Sequence, residues 1–242
     1  MSQPVLLNFE KHGTLRLREP REFTKHKAEN FVPIVFQEFY SLATEFPLIF
    51  VRNKKTGDFV PGAMMGLKKG MNLYCQTSEW QPNFVPNSFT LTPLSVSRLD
   101  PQNNEANVAI DEQSSLLSES EGEPLYQSDG QATNYLKIRM DHVIRVTQQS
   151  VQAVALCRHL AEQNLFTTRI LKLQQNEISP KYEVEGVFVI DEEVLENLSD
   201  KEFQGLRQQG LLPPIYAHLT SLQQIGRLTR LQHEADLRQE SS

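Results

Sequence analysis

The stretch Phe46-Pro47-Leu48-Ile49-Phe50-Val51-Arg52-Asn53-Lys54-Lys55-Thr56-Gly57-Asp58-Phe59-Val60-Pro61-Gly62-Ala63-Met64-Met65-Gly66-Leu67 decides the fold class. Leu48–Val51 is a short apolar run that reads as a strand, and residues 53–58 carry turn chemistry in Asn, Thr, Gly and Asp. Phe59–Leu67 then reads as a second strand, Lys68-Lys69-Gly70 as a second turn and Asn72–Gln76 as a third strand. Neighbours joined by such short turns are antiparallel, so the segment predicts a β-meander. Both turns carry a lysine pair, but successive turns of a meander lie at opposite ends of the sheet, so the pairs read as solvated turns.

Upstream, Ile34, Val35, Glu38, Phe39, Leu42 and Phe46 recur at helical spacing, and Pro47 ends that helix. Residues 1–30 are polar and basic-leaning, with Arg16, Arg18, Arg21, Lys25 and Lys27 among few apolar anchors, and read as an N-terminal arm. Downstream, Phe89–Arg98 and Asn107–Ile110 are further strand candidates. Between Leu99 and Leu136 stand eight acids and no lysine or arginine, which predicts a solvated acidic loop able to attract a basic partner. Glu119, Glu121 and Glu123 alternate, but the surrounding spacing fails that of a calcium loop.

Residues 132–164 give the longest helical pattern, through Leu136, Met140, Val143, Ile144, Thr147, Val151, Val154 and Ala161, with a break expected near Ser150. Thr168–Gln174 and Tyr182–Ile190 read as a strand pair. Asp191 reads as the cap of a short helix, and Ser199-Asp200-Lys201-Glu202 as a capping box whose helix stops at Gly210. After Pro213-Pro214 a terminal helix carries the stripe Ile215, Leu219, Leu222, Ile225, Leu228 and Leu231. Strands, long helix, strands and helices in that order predict an α+β fold: a largely antiparallel meander sheet packed against a long central helix and a C-terminal helix.

Composition narrows the function classes. The 242 residues carry 24 basic and 30 acidic side chains, a net charge of −6 that disfavours neutralising nucleic-acid phosphates. With 39% hydrophobic residues and a mean hydropathy of −0.43, the chain suits a soluble core, and no apolar run approaches the roughly 18–20 residues of a membrane span. The first apolar cluster, Val5-Leu6-Leu7, is too short for a secretory signal, so a cytoplasmic protein is expected. Cys75 and Cys157 lack metal-type spacing and read as reduced, partly buried thiols.

No catalytic motif is found. The glycines at 57, 62, 66 and 70 precede no helix, and there is no nucleophile elbow, zinc helix or paired-cysteine motif. The histidines at 12, 26, 142, 159, 218 and 233 never stand three or four apart, so no metal site is read, and no cofactor is called. His218 stands out, because Tyr216, His218, Thr220 and Ser221 lie close together after a proline-fixed helix entry. They suit either an acid–base cluster, with a carboxylate from Glu38 or Asp191, or a packed helix whose histidine satisfies a carbonyl. The loop Ser78–Pro86, with Trp80, Phe84 and Pro86, suits a grip on an extended peptide or a plug over the sheet. The partner-binding candidates are therefore Trp80, Phe84, Pro86, Tyr216, His218 and Ser221. The last turns of the C-terminal helix are a candidate partner or homodimer contact.

The ordered landmarks resemble the bacterial SapC family. They include Val32-Pro33-Ile34-Val35 with Glu38-Phe39, Phe46-Pro47-Leu48-Ile49-Phe50-Val51, Thr56-Gly57-Asp58-Phe59-Val60-Pro61 and Gly70-Met71-Asn72-Leu73. Trp80 with Val85-Pro86, Glu121-Gly122-Glu123-Pro124-Leu125-Tyr126, Val184-Glu185-Gly186-Val187-Phe188 and Tyr216-Ala217-His218-Leu219 continue the series, over roughly residues 25 to 230. The resemblance implies a single SapC-like domain over residues 31–242 behind the arm. It also implies an accessory role, since members are frequent neighbours of flavin-dependent halogenase-like enzymes and TonB-dependent receptors. The family name itself points to a surface layer. The expectation is thus a binder of a protein or peptide, with an enzyme site around His218 and a surface-layer structural protein as alternatives.

Overall fold

The computed structural model describes residues 3–19, 23–76, 80–100 and 105–240. In chain order the elements are β1 (Val5–Leu6), α1 (Phe9–His12), β2 (Arg16–Leu17), β3 (Phe31–Pro33), α2 (Phe39–Leu42), β4 (Leu48–Arg52) and β5 (Phe59–Met64). Then come α3 (Asn87–Thr90), β6 (Leu94–Asp100), β7 (Glu105–Ile110), β8 (Leu117–Ser118), β9 (Glu123–Pro124) and α4 (Asn134–Glu162). The chain continues through β10 (Phe166–Gln174), β11 (Lys181–Ile190), α5 (Glu192–Glu196), α6 (Asp200–Gln208), α7 (Leu212–Ser221) and α8 (Gln224–Glu240). Helices and wholly antiparallel sheets make this an α+β protein. It divides into two compact units, residues 1–21 with 87–148 and residues 22–86 with 149–242.

The first unit holds two three-stranded sheets, β1-β7-β6 and β8-β2-β9. Leu17, Leu94, Val108, Ile110, Leu125, Leu136 and Val143 form its core. The acid-rich segment after Leu99 is not a loop throughout, because β7, β8 and β9 arise from it. Its inward positions Val108, Ile110 and Leu125 are buried, and this alternation outweighs the charge between them. Residues 3–17 join these sheets through β1 and β2, while Arg21 of the expected arm lies outside the described residues.

The second unit is built on one sheet, β10-β11-β4-β5-β3. Asn53 turns the chain between β4 and β5: its Oδ1 accepts the Lys55 N–H at 2.9 Å, and Gly57 takes φ +78. The third meander strand expected at Asn72–Gln76 does not form. Its place beside β5 is taken by the upstream β3, with Val32 opposite Ala63 and Pro33 opposite Gly62. Gly62 is required there, because a Cβ would lie 2.2 Å from the Phe31 ring. Pro33 suits the edge of a sheet. The chain beyond β5 folds back on itself at Gly66, where a Cβ would meet the Met71 carbonyl oxygen at 1.9 Å.

Three helical expectations are also corrected. The helix expected over Ile34–Phe46 is only a 3-10 turn at Phe36–Glu38 running into the four-residue α2. Glu38 sets its start by accepting the Val35 N–H at 3.0 Å. No break occurs at Ser150: α4 contains no proline or glycine and runs unbroken for 29 residues. It ends at Asn164 in the left-handed region (φ 56), a common stop for a helix. The C-terminal stripe, read as one helix, is two. At Leu222–Ile225 the backbone bonds tighten, Leu222 N–H to Leu219 C=O at 3.3 Å and Ile225 N–H to Leu222 C=O at 3.1 Å, and a new helix begins. The caps at Asp191 and Ser199 form as read, the latter with Ser199 N–H donating to Glu202 Oε2 at 2.9 Å.

The core of this unit is aromatic. Phe39, Phe46 and Phe50 are almost wholly buried, with Leu48, Met64 and Met65 around them, and Cys157 and Leu160 are buried on the C-terminal half of α4. Each such side chain stabilises the fold by about 1.5–3 kcal/mol through removal from water. Both cysteines are free and buried, and burial pushes each thiol up to about 12.

Candidate functional site

Helix α7 is where sequence and structure meet most closely. Pro213 and Pro214 sit in its first turn, where a missing N–H costs nothing. The helix lies against α2, β4 and β11. Its inward face carries Ile215, His218 and Ser221, all buried, while Tyr216 is 50% exposed.

His218 is a strut within this packing. Its Nε2 accepts the Ile190 N–H at 3.1 Å, which fixes the neutral tautomer with the proton on Nδ1. Nδ1 has no hydrogen-bond partner among the described residues. Burial pushes the imidazole down to about 4, with the Leu48 backbone pulling weakly the other way. Phe50 lies against the ring, 5.1 Å between centroids. Ser221 Oγ donates to the His218 carbonyl at 2.6 Å and accepts the Leu48 N–H at 2.9 Å, tying α7 to β4. The two carboxylates considered as partners for His218 act elsewhere. Glu38 caps the turn before α2, and Asp191 accepts the Glu193 and Val194 N–H groups at the start of α5.

The Trp80 loop is seated on the same unit by aromatic and polar contacts; its Ser78 and Glu79 lie outside the described residues. The Trp80 ring packs edge-on to Phe23 at 5.4 Å and stands 6.2 Å from Phe46 and 6.3 Å from Tyr74. Pro86 is buried and Phe84 is 42% exposed. Asn83 donates both its backbone N–H (3.1 Å) and its side-chain amide (2.6 Å) to Glu45 Oε1, while Arg227 of α8 donates to Glu45 Oε2 at 3.0 Å. Desolvation is the largest single influence on buried Glu45 and pushes it up, but these donors together outweigh it and hold the carboxyl below its usual range.

An open apolar surface lies beside Tyr216. A groove of about 750 Å³ runs between α2 and α7, lined by Tyr40, Ala43, Thr44, Leu212, Pro213, Tyr216, Ala217, Thr220, Gln223 and Gln224. Tyr40 is 65% exposed and lines the groove from α2, Tyr216 lines it from α7, and the lining residues Ala43 and Ala217 are buried. Thr44 Oγ1 donates to the Ser41 carbonyl at 2.7 Å and Thr220 Oγ1 to the Tyr216 carbonyl at 2.8 Å, so both hydroxyl protons are used within the walls. Among the described residues no charged side chain lines the groove. Of the six candidates read from the sequence, only Tyr216 lies in it. Tyr40, Leu212 and Pro213, which also line it, are not among those six. The available signal was an aromatic one position off each apolar stripe, Tyr40 beside Phe39 and Tyr216 beside Ile215.

His12, His26 and His159 hold local structure. His12 Nε2 lies 3.1 Å from Glu112, His26 Nδ1 2.9 Å from Glu29, and His159 Nε2 3.0 Å from both Gln163 and Gln209. Among the described residues no group of three or more histidine, cysteine, aspartate or glutamate side chains is placed to hold a metal ion. No described helix is long and apolar enough to cross a membrane.

The fold and site define an α+β protein whose sheet unit presents an uncharged, tyrosine-flanked groove. The chain belongs to the SapC family, whose model matches residues 7–228. No curated protein and no solved structure gives a significant match.

Proposed function

We propose that this SapC-family protein is a binding module that recognises a polypeptide partner through the groove between α2 and α7. One observation carries the reading: two exposed tyrosines, one from α2 and one from α7, line the same groove together with the buried Ala43 and Ala217. Exposed aromatics above a preformed apolar cleft are the usual anchors of protein recognition, because a large rigid ring gains contact area with little loss of side-chain freedom. The groove's size suits a few apolar side chains of a segment laid between two helices. Trp80 and Phe84 are a secondary candidate contact, Trp80 by supporting its loop and Phe84 by its exposure. Flavin-dependent halogenase-like enzymes and TonB-dependent receptors are the partner classes that the family resemblance brings forward.

Site-specific photo-crosslinking tests this. Benzoylphenylalanine at position 216 or 40 is expected to trap a defined polypeptide in the host. The same group at Ile178, which is 95% exposed on the β10–β11 turn, is expected not to. Equal trapping at all three positions counts against the reading.

A further inference from the structure

Tyr216 also lines a second, smaller cleft of about 280 Å³, whose walls include Glu192, Glu196, Asp200, Phe203 and Leu219. Glu192 and Glu196 stand one turn apart on α5, and Asp200 opens α6. Among the described residues no lysine, arginine or histidine lines either this cleft or the groove, and Lys201, next to Asp200, is exposed. Among the described residues none of the three carboxylates takes part in an ion pair. Like charges four apart on a helix repel, and a cation placed among them relieves that repulsion.

Resting on the polypeptide reading above, we infer that the bound segment carries a lysine or arginine directly beside its apolar anchor. The anchor lies between Tyr40 and Tyr216, and the cation lies among Glu192, Glu196 and Asp200. Charge complementarity of this kind fixes the register of a segment that apolar contact alone would leave free to slide. It also argues against a second copy of this chain as occupant, since each copy carries a net charge of −6. The border position of Tyr216 makes it the one side chain that both parts of the segment touch.

A random-peptide phage library selected on the wild-type chain, and depleted on a Tyr40→Ser/Tyr216→Ser variant, gives the test. The expected result is tyrosine-dependent peptides enriched in lysine or arginine next to a large apolar residue. Synthetic copies of them should bind about tenfold more weakly to a Glu192→Gln/Glu196→Gln/Asp200→Asn variant at low salt, with the difference shrinking as salt screens the charges. Tyrosine-dependent peptides without a basic excess, or with an acidic one, overturn the inference and leave the polypeptide reading intact. Failure to recover any tyrosine-dependent peptide overturns the polypeptide reading itself. Self-association of the chain that the tyrosine variant abolishes makes a second copy the occupant and overturns the inference.

Discussion

Tyr216 and His218 stand two residues apart on α7 and meet opposite environments: His218 is fully buried with its Nε2 on the Ile190 N–H at 3.1 Å, and Tyr216 is half exposed over the groove. Two helical positions differ by about 200° around the axis, so one face of a single helix builds the core and the other lines the groove proposed for recognition. Chemistry that the sequence places side by side is thereby split in space.

The first prediction concerns pH. His218 titrates at about 4 in the folded chain and near 6.5 when unfolded, so the unfolded state takes up the proton first. Its contribution to stability is fully present above pH 6.5 and is lost as pH falls toward 4. The expected loss is about 3 kcal/mol across that window. His26 and His142, also lowered, add a smaller slope of the same sign, while carboxylates with lowered values such as Glu45 and Asp236 begin to lose their contribution only near the acid end of the window, as pH falls through their unfolded values of 4.5 and 3.8. Urea unfolding between pH 7 and 4 should show the slope in the wild type and a flattened slope in His218→Gln.

Glu45 joins three elements, and its removal should be felt in all of them. Glu45→Ala leaves the Asn83 amide and the Arg227 guanidinium without their shared acceptor. A cost of about 2–3 kcal/mol is expected. Trp80 is the chain's single tryptophan, and its fluorescence should report the loosened loop at denaturant concentrations below the main transition. Coincident loss of fluorescence and far-ultraviolet dichroism at the wild-type midpoint would refute this.

Two glycines should respond in opposite directions to the same substitution. Gly66→Ala drives a methyl into the Met71 carbonyl and should destabilise the chain by more than about 2 kcal/mol. Gly205, inside α6, meets nothing within 4 Å, so Gly205→Ala should stabilise by about 0.5–1 kcal/mol through helix propensity. Thermal melts of the two variants check both signs.

Stability and recognition should separate at the groove. Tyr40→Ser and Tyr216→Ser remove exposed rings and should change stability by no more than about 0.5 kcal/mol each. Phe50→Ala removes a buried ring that touches His218 and should cost about 3–5 kcal/mol. If the tyrosine variants melt like the phenylalanine variant, the tyrosines are core residues and the groove is a packing defect.

What was legible in the sequence follows from the range of the interactions involved. The turn at Asn53–Asp58, the cap at Ser199–Glu202 and the pair β10–β11 are local, and each was read with nearly its observed limits. The partner of β5 was not, because adjacent strand candidates favour a continued meander. The actual neighbour β3 is chosen by the fit of Phe31 over Gly62, about thirty residues apart in sequence. The break between α7 and α8 was hidden by a stripe that continues in phase across it, while Ser221 turns its hydroxyl inward to Leu48. His218 drew attention for the company it keeps in sequence, yet its environment comes from β4 and β11. Tyr40 and Tyr216 line one groove only in the folded chain, and residues 176 positions apart leave no spacing to find.

The central claim is that a polypeptide occupies the Tyr40–Tyr216 groove. Native mass spectrometry of the chain purified from its own host, wild type beside Tyr40→Ser/Tyr216→Ser, tests it most directly. A stoichiometric polypeptide retained by the wild type and absent from an equally folded variant is the predicted result. A wild type that carries no polypeptide, or a polypeptide held equally by both chains, contradicts the account.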